Sequence, residues 1–127
     1  MSEESGNKSV FTIDLSYLRD VASGSNEFMI EMIDLFLVQT PSYFEQLQQH
    51  IQNENWQSAA DIAHKIKPTL AFMGVESARA SMAEIEQNAR NQVNLETVPE
   101  AFNLLHDLSK DLFIKLEEVK KELEQAG

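Results

Sequence analysis

The 127-residue sequence contains no cysteine, only four glycines and three prolines, and a single tryptophan. Without cysteine there are no disulfides and no thiolate metal sites, and a reducing compartment is expected. So little glycine and proline leaves scant material for hairpins or long loops. No apolar run is longer than that of Leu35 to Val38, far short of the roughly 20 residues a membrane span requires. Met1 to Lys8 is rich in Ser and Glu and has no apolar core, so it does not read as a signal peptide. A cytoplasmic protein is expected. Positive charge is also scarce: 10 Lys and Arg stand against 21 Asp and Glu, a net charge of −11. Such a surface repels the phosphates of nucleic acid, which is therefore not an expected partner.

What is present is enough hydrophobic residue (43%) and charge (24%) for one compact core with a solvated surface. Residues 1–10 read as a frayed tail and 11–127 as a single domain. Asp14 to Ala22 carries apolar residues at 15, 18, 21 and 22, a short helix ended by Gly24. Ser25 or Asn26 can cap a second helix reaching about Asn53, with its stripe at Met29, Ile33, Phe36, Leu37, Phe44, Leu47 and Ile51. Pro41 predicts a kink within it, since its nitrogen cannot donate to the carbonyl of Leu37. Phe28, Met32 and Leu35 add a second stripe, which the N-terminal helix can cover in part and a partner can use in part.

A third helix, from about Trp56 to Met73 with Asn55 as its cap, buries Ala59, Ala63, Ile66, Leu70 and Met73 and ends at Gly74. Val75 to Asn91 repeats the spacing with Ala78, Met82, Ile85 and Ala89. After a polar loop, Pro99 opens a last helix reaching about Gln125, with Phe102, Leu105, Leu112, Leu116, Val119 and Leu123 inward. No segment alternates with period two. The fold class is all-α: an antiparallel four-helix bundle with a short extra N-terminal helix, expected as a monomer.

Candidate chemistry narrows quickly. His50, His64 and His106 form no His-x-x-x-His or Glu-x-x-His pair, so no metal site is expected, and His50 and His106 read as ordinary surface histidines. No Gly-rich phosphate loop is present, and nothing groups a nucleophile with a base and an oxyanion site. Glu117 and Lys121 form at most a weak surface pair. His64 is different. It lies one residue past the buried stripe of the third helix, with Ala60, Asp61, Lys67 and Pro68 one turn away and Ala71 two turns on. An exposed, uncrowded imidazole beside an ammonium suits chemistry with an anion.

Ala63-His64-Lys65-Ile66-Lys67-Pro68, followed by Thr69 to Phe72 and then Met73-Gly74, resembles the signature of histidine-containing phosphotransfer (Hpt) domains. That signature reads Ala-His-x-Leu-Lys-Gly, with Leu-Gly six residues after the first Gly. The similarity extends upstream to Phe36, Pro41 and Trp56 and downstream through Gly74 to Ala78 and Ile85 to Arg90, covering roughly residues 14 to 118. It implies that His64 accepts a phosphoryl group from the phospho-aspartate of a receiver domain and passes it to another receiver. Lys67, three residues on, would offset the phosphoryl charge. Lys65 lies about 100° from His64 around the helix and is the weaker cation. The partners implied are receiver domains of response regulators or hybrid histidine kinases. The chain itself would bind no cofactor; Mg²⁺ and the aspartate would belong to the receiver.

The docking surface expected from this likeness combines Phe28 and Met32 with Ala60, Asp61, Lys65, Pro68 and Ala71. One departure stands out: Pro68 replaces the family glycine, which should leave the carbonyl of His64 without its helical donor and bend the helix there. Thr69 is placed to relieve the backbone by bonding an upstream carbonyl. Two other readings stay open: a non-phosphorylated adaptor using the same surface, and a purely structural bundle. A histidine-kinase dimerisation domain is disfavoured, because the ATP-binding half is missing and one chain already supplies four long helices.

Overall fold

The computed structural model describes residues 12–126; the tail expected over 1–10 lies outside them. Among the described residues five helices follow in order: α1 (Ser16–Val21), α2 (Asn26–Gln52), α3 (Trp56–Phe72), α4 (Glu76–Asn91) and α5 (Val98–Ala126), with a 3-10 turn (Leu95–Thr97) before α5. The four long helices form a bundle in which α2 packs on α3, α3 on α4, α4 on α5 and α5 back on α2. Side-chain pairs give the directions. On α2 and α5, Asp34 meets Lys120 while Phe44 meets Phe102, so the two run antiparallel. On α3 and α4, Asp61 meets Arg90 while Lys67 meets Glu86, with the same result.

The stripes read from sequence form the core. Met29, Ile33, Phe44 and Leu47 of α2, Ala59, Ala63, Ile66 and Leu70 of α3, Met82, Ile85 and Ala89 of α4, and Leu112 and Leu116 of α5 are all buried. A leucine-sized side chain withdrawn from water contributes about 2 kcal/mol, so this seam is what holds α3 in place. Ser25 caps α2 by accepting from the amide of Phe28 at 3.2 Å, with Glu27 in the first turn. Asn55 stands at the start of α3, but its side chain makes no capping bond; its backbone carbonyl accepts from Ala59 instead. Pro41 sits inside α2, which continues unbroken to Gln52.

Gly74 closes α3 in the left-handed region (φ +72°), and the amide of Asp14 donates to its carbonyl at 3.1 Å. A Cβ at this position would run into the backbone of Asp14, so only glycine lets the N-terminal segment approach. This latch seats α1 across the end of the bundle, where Leu18 and Ala22 are buried and Tyr17 meets Phe72 edge-on at 5.5 Å. Val21, one of the apolar residues of the expected short helix, is 45% exposed, because a six-residue helix anchored through Leu18 and Ala22 turns that side to solvent. α1 therefore covers the second stripe of α2 only partly: Phe28 and Met32 are half-buried and Leu35 is 46% exposed. His106 is not a free surface residue either; its ring stacks on Phe102 at 5.3 Å and on Phe44 at 6.0 Å. No pair forms between Glu117 and Lys121 among the described residues; the neighbouring Lys120 reaches Asp34 of α2 at 2.7 Å instead.

Candidate functional site

The inward stripe of α3 fixes which side of the helix faces water. Ala63 is fully buried, so His64, 100° further round, emerges at the edge with its side chain 67% exposed. Across from it, Met82, Ile85 and Ala89 bury α4 against α3, and this brings Glu86, one residue past Ile85, to face the histidine. Nδ1 of His64 lies 3.0 Å from Oε2 of Glu86, and Nζ of Lys67 lies 2.7 Å from Oε1 of the same carboxylate. Arg90, one turn further along α4, approaches Oε2 at 3.5 Å and reaches Asp61 of α3 at 3.0 Å. Gln57 donates to the carbonyl of Arg90 at 3.3 Å and completes the bridge between the helices.

Glu86 is the centre of this network. Its side chain is only 14% exposed. Burial alone would raise its pKa, but the hydrogen bond and charge of Lys67, followed by those of His64, outweigh it and hold the carboxyl below the usual carboxylate value. An ionised carboxylate only accepts hydrogen bonds, so the proton between the two side chains belongs to Nδ1. That assigns the tautomer. In the neutral ring Nε2 then carries the lone pair, and among the described residues it has no hydrogen-bond partner. The ring is thus held at Nδ1 by the Glu86 carboxylate on a side chain that is largely exposed.

Beyond Pro68 the surface changes character. An open groove of about 310 Å³ runs between α2 and α3, lined chiefly by Met32, Leu35, Phe36, Pro68, Phe72 and Met73. The α3 helix continues through Pro68 to Phe72, and the Thr69 hydroxyl donates to the carbonyl of Ile66 at 2.6 Å. That is the relief expected of Thr69, although the acceptor lies three residues back and is not the carbonyl of His64.

The predicted site residues thus fall into separate places. His64 and Lys67 share Glu86, and Asp61 joins them through Arg90. Pro68 and Met32 line the groove. Lys65 is exposed on α3. Ala71 is exposed in a separate depression beside Asp14 and Tyr17. Phe28 is half-buried against the core and does not line the groove. Ala60 is wholly buried and offers no surface to a partner, because it faces inward beside Ala59 and Ala63. Glu86 and Arg90 were not singled out from sequence. The available signal was that Glu86 directly follows the buried Ile85 and Arg90 the buried Ala89, on the helix that must pack on α3.

A family model described as the Hpt domain matches residues 31–126. The chain belongs to the Hpt family. Members of the family are phosphoryl carriers and not kinases, in keeping with the phosphotransfer signature around His64. Two solved structures share the fold of this Hpt protein. Histidine-containing phosphotransfer protein B from Pseudomonas aeruginosa PAO1 is 17% identical, with a TM-score of 0.79 over 87% of this chain and 95% of that one. The HPT domain of a sensor hybrid histidine kinase from Shewanella is 20% identical, with a TM-score of 0.70 over 87% of this chain and 94% of that one. A comparison with curated proteins returned no match. Within this Hpt fold, no group of three or more His, Cys, Asp or Glu is arranged to hold a metal ion among the described residues. No helix among them is long and apolar enough to cross a membrane.

Proposed function

We propose that the chain relays phosphoryl groups between receiver-domain aspartates through Nε2 of His64, acting in the cytoplasm as a monomer with residues 11–127 as its one domain. The observation that carries this reading is the clamp on the ring. Nδ1 is occupied by Glu86 at 3.0 Å, whereas Nε2 is open on a side chain that is 67% exposed. The Nε2 lone pair attacks the phosphorus of the aspartyl phosphate, and the bond from phosphorus to the aspartate oxygen breaks. Such a transfer is mostly positioning and charge stabilisation, so a rigid helix bearing an oriented imidazole is sufficient for this half of it. The receiver supplies the aspartate and Mg²⁺.

Lys67 is parked on Glu86 at 2.7 Å and is 27% exposed. A small rotation carries its ammonium from the carboxylate towards the oxygens of a phosphoryl group on the neighbouring turn. The groove beside Pro68 receives apolar side chains of the docked receiver, with Met32 and Leu35 on one wall and Pro68 and Phe72 on the other. A small interface of this kind releases its partner after each transfer. The test is transfer of label from phosphorylated receivers of the same organism to wild type, Lys67→Ala and Leu35→Asp. Lys67→Ala is expected to slow transfer within the complex by about 10- to 100-fold, and Leu35→Asp to raise KM with less effect on kcat. A Leu35→Asp variant with wild-type KM would remove the groove from the docking surface.

A further inference from the structure

We infer that the carboxylate of Glu86 keeps the Nδ1 proton on His64 through both halves of the relay, and so sets how readily the phosphorylated ring gives up its phosphoryl group. The inference rests on the reading of His64 as phosphoacceptor. It begins from the proton count. Before transfer, the neutral ring has one N–H, at Nδ1 facing Oε2 of Glu86, and one lone pair, at Nε2. When Nε2 bonds to phosphorus, the aspartate oxygen leaves with the electron pair of its own bond, and no proton moves. The ring has given up its lone pair and is now an N-phosphoryl imidazolium, with the Nδ1 proton still pointing at a carboxylate. In the onward step an acceptor carboxylate oxygen attacks phosphorus. The N–P electron pair returns to Nε2, which leaves as part of a neutral imidazole. The cycle closes without proton exchange.

The alternative is loss of the Nδ1 proton to solvent after the first step. The neutral phospho-ring then has to depart as an imidazolate, a far poorer leaving group, unless it first recovers a proton. A group that favours the protonated ring therefore raises the transfer rate and shortens the life of phosphohistidine. Glu86 is placed to be that group, since it contacts Nδ1 directly and carries full negative charge.

Two cations share this carboxylate with the ring. From α4, Arg90 shares Oε2 at 3.5 Å but is also held by Asp61 of α3 at 3.0 Å. From α3, Lys67 occupies Oε1, and Lys65 makes no ion pair among the described residues. From α2, no acid or base is paired with the cluster among the described residues. When Lys67 turns to the phosphoryl oxygens, one cation leaves Glu86, and more of its charge acts on the imidazolium that has just formed. The same movement that neutralises the phosphoryl group thus secures the proton needed for its release.

The experiment loads the purified chain with phosphoramidate, using His64→Gln to subtract label on other histidines, and follows discharge to an excess of receiver domain between pH 5 and 9. Wild type, Glu86→Gln and Glu86→Asp are compared. In Glu86→Gln, the pH at which the discharge rate falls to half should lie lower by about one unit, for a contacting opposite charge partly screened by water. That corresponds to a roughly tenfold slower discharge at pH 8. Glu86→Asp, which keeps the charge on a shorter arm, should recover part of the shift. A Glu86→Gln profile that coincides with wild type, or one that is slower by the same factor at every pH, overturns the inference and leaves His64 as carrier. Phosphorylated wild type that discharges to no receiver at any pH overturns the carrier reading, and this inference with it.

Discussion

Pro68→Ala should make the protein more stable while weakening its hold on a partner. Proline inside a helix costs about 3 kcal/mol relative to alanine, through a missing amide donor and a clash with the carbonyl four residues back. Here that carbonyl belongs to His64, which with Lys65 and Pro68 lies on the exposed side of α3, where water can take up part of the loss. The Thr69 hydroxyl on the carbonyl of Ile66, at 2.6 Å, stabilises the same turn. Pro68 is itself exposed, so its removal sacrifices little burial. The net gain should be about 1–2 kcal/mol. With an unfolding entropy of about 2.1 cal/mol/K per residue over 127 residues, 1 kcal/mol is worth about 4 °C, so Tm should rise by about 4–8 °C. The ring is also part of the groove wall with Met32, Leu35 and Phe72. Its loss should raise KM for phospho-receiver by about two- to fivefold, with the transfer rate inside the complex little changed. Thermal unfolding followed by circular dichroism reads the first effect, and transfer kinetics at varied receiver concentration read the second. A lower Tm would refute the account of Pro68 as a strained helical residue, and an unchanged KM would refute its place in the docking wall.

Gly74→Ala should do the reverse. It places a side chain at φ +72° and pushes away Asp14, for a loss of about 2–3 kcal/mol and a fall in Tm of about 10 °C; a Tm within about 2 °C of wild type would contradict the latch. Ile66→Val, on the buried side of α3, should cost about 1 kcal/mol in urea unfolding and leave transfer through His64 at the wild-type rate. The Glu86 network should also be visible in stability against pH. Its carboxyl is held below the usual 4.5, so its stabilising effect is complete above that value and is lost as the pH falls through the lowered one. The difference in urea midpoint between wild type and Glu86→Gln should therefore shrink and vanish as the pH falls below about 4.5. A difference that grew on acidification below that value would have the wrong sign.

The helices were legible because each has a strong 3.6-residue stripe and few competing signals. Ala59, Ala63, Ile66 and Leu70 needed only counting to be placed inside, and His64 followed from them at the edge. Interhelical partners were not legible in the same way. Glu86 is 22 residues from His64, and its approach depends on the axial register of α4 against α3, which packing decides. The same limit explains why Lys120 chose Asp34, 86 residues away, while sequence spacing pointed to Glu117 and Lys121. His106 looked solvated in a polar stretch, yet the antiparallel alignment of α2 and α5 brings Phe44 onto its ring. Ala60 failed for a different reason. A small residue beside a functional histidine reads as clearance on the surface, whereas here smallness allows close packing of α3 in the core. The groove was half legible: the excess of apolar residues on α2, Leu35 among them, was plain, but Phe72 and Met73 join it only through the packing of α3 on α2.

The central claim is that His64 carries the phosphoryl group, and the most direct measurement is transfer of label from a phosphorylated receiver to wild type and to His64→Gln, followed by acid and base treatment of the product. Label on wild type alone, lost in acid and stable in base, is the result predicted for a phosphohistidine at this position. Equal labelling of His64→Gln, or label on wild type that survives acid, would contradict it.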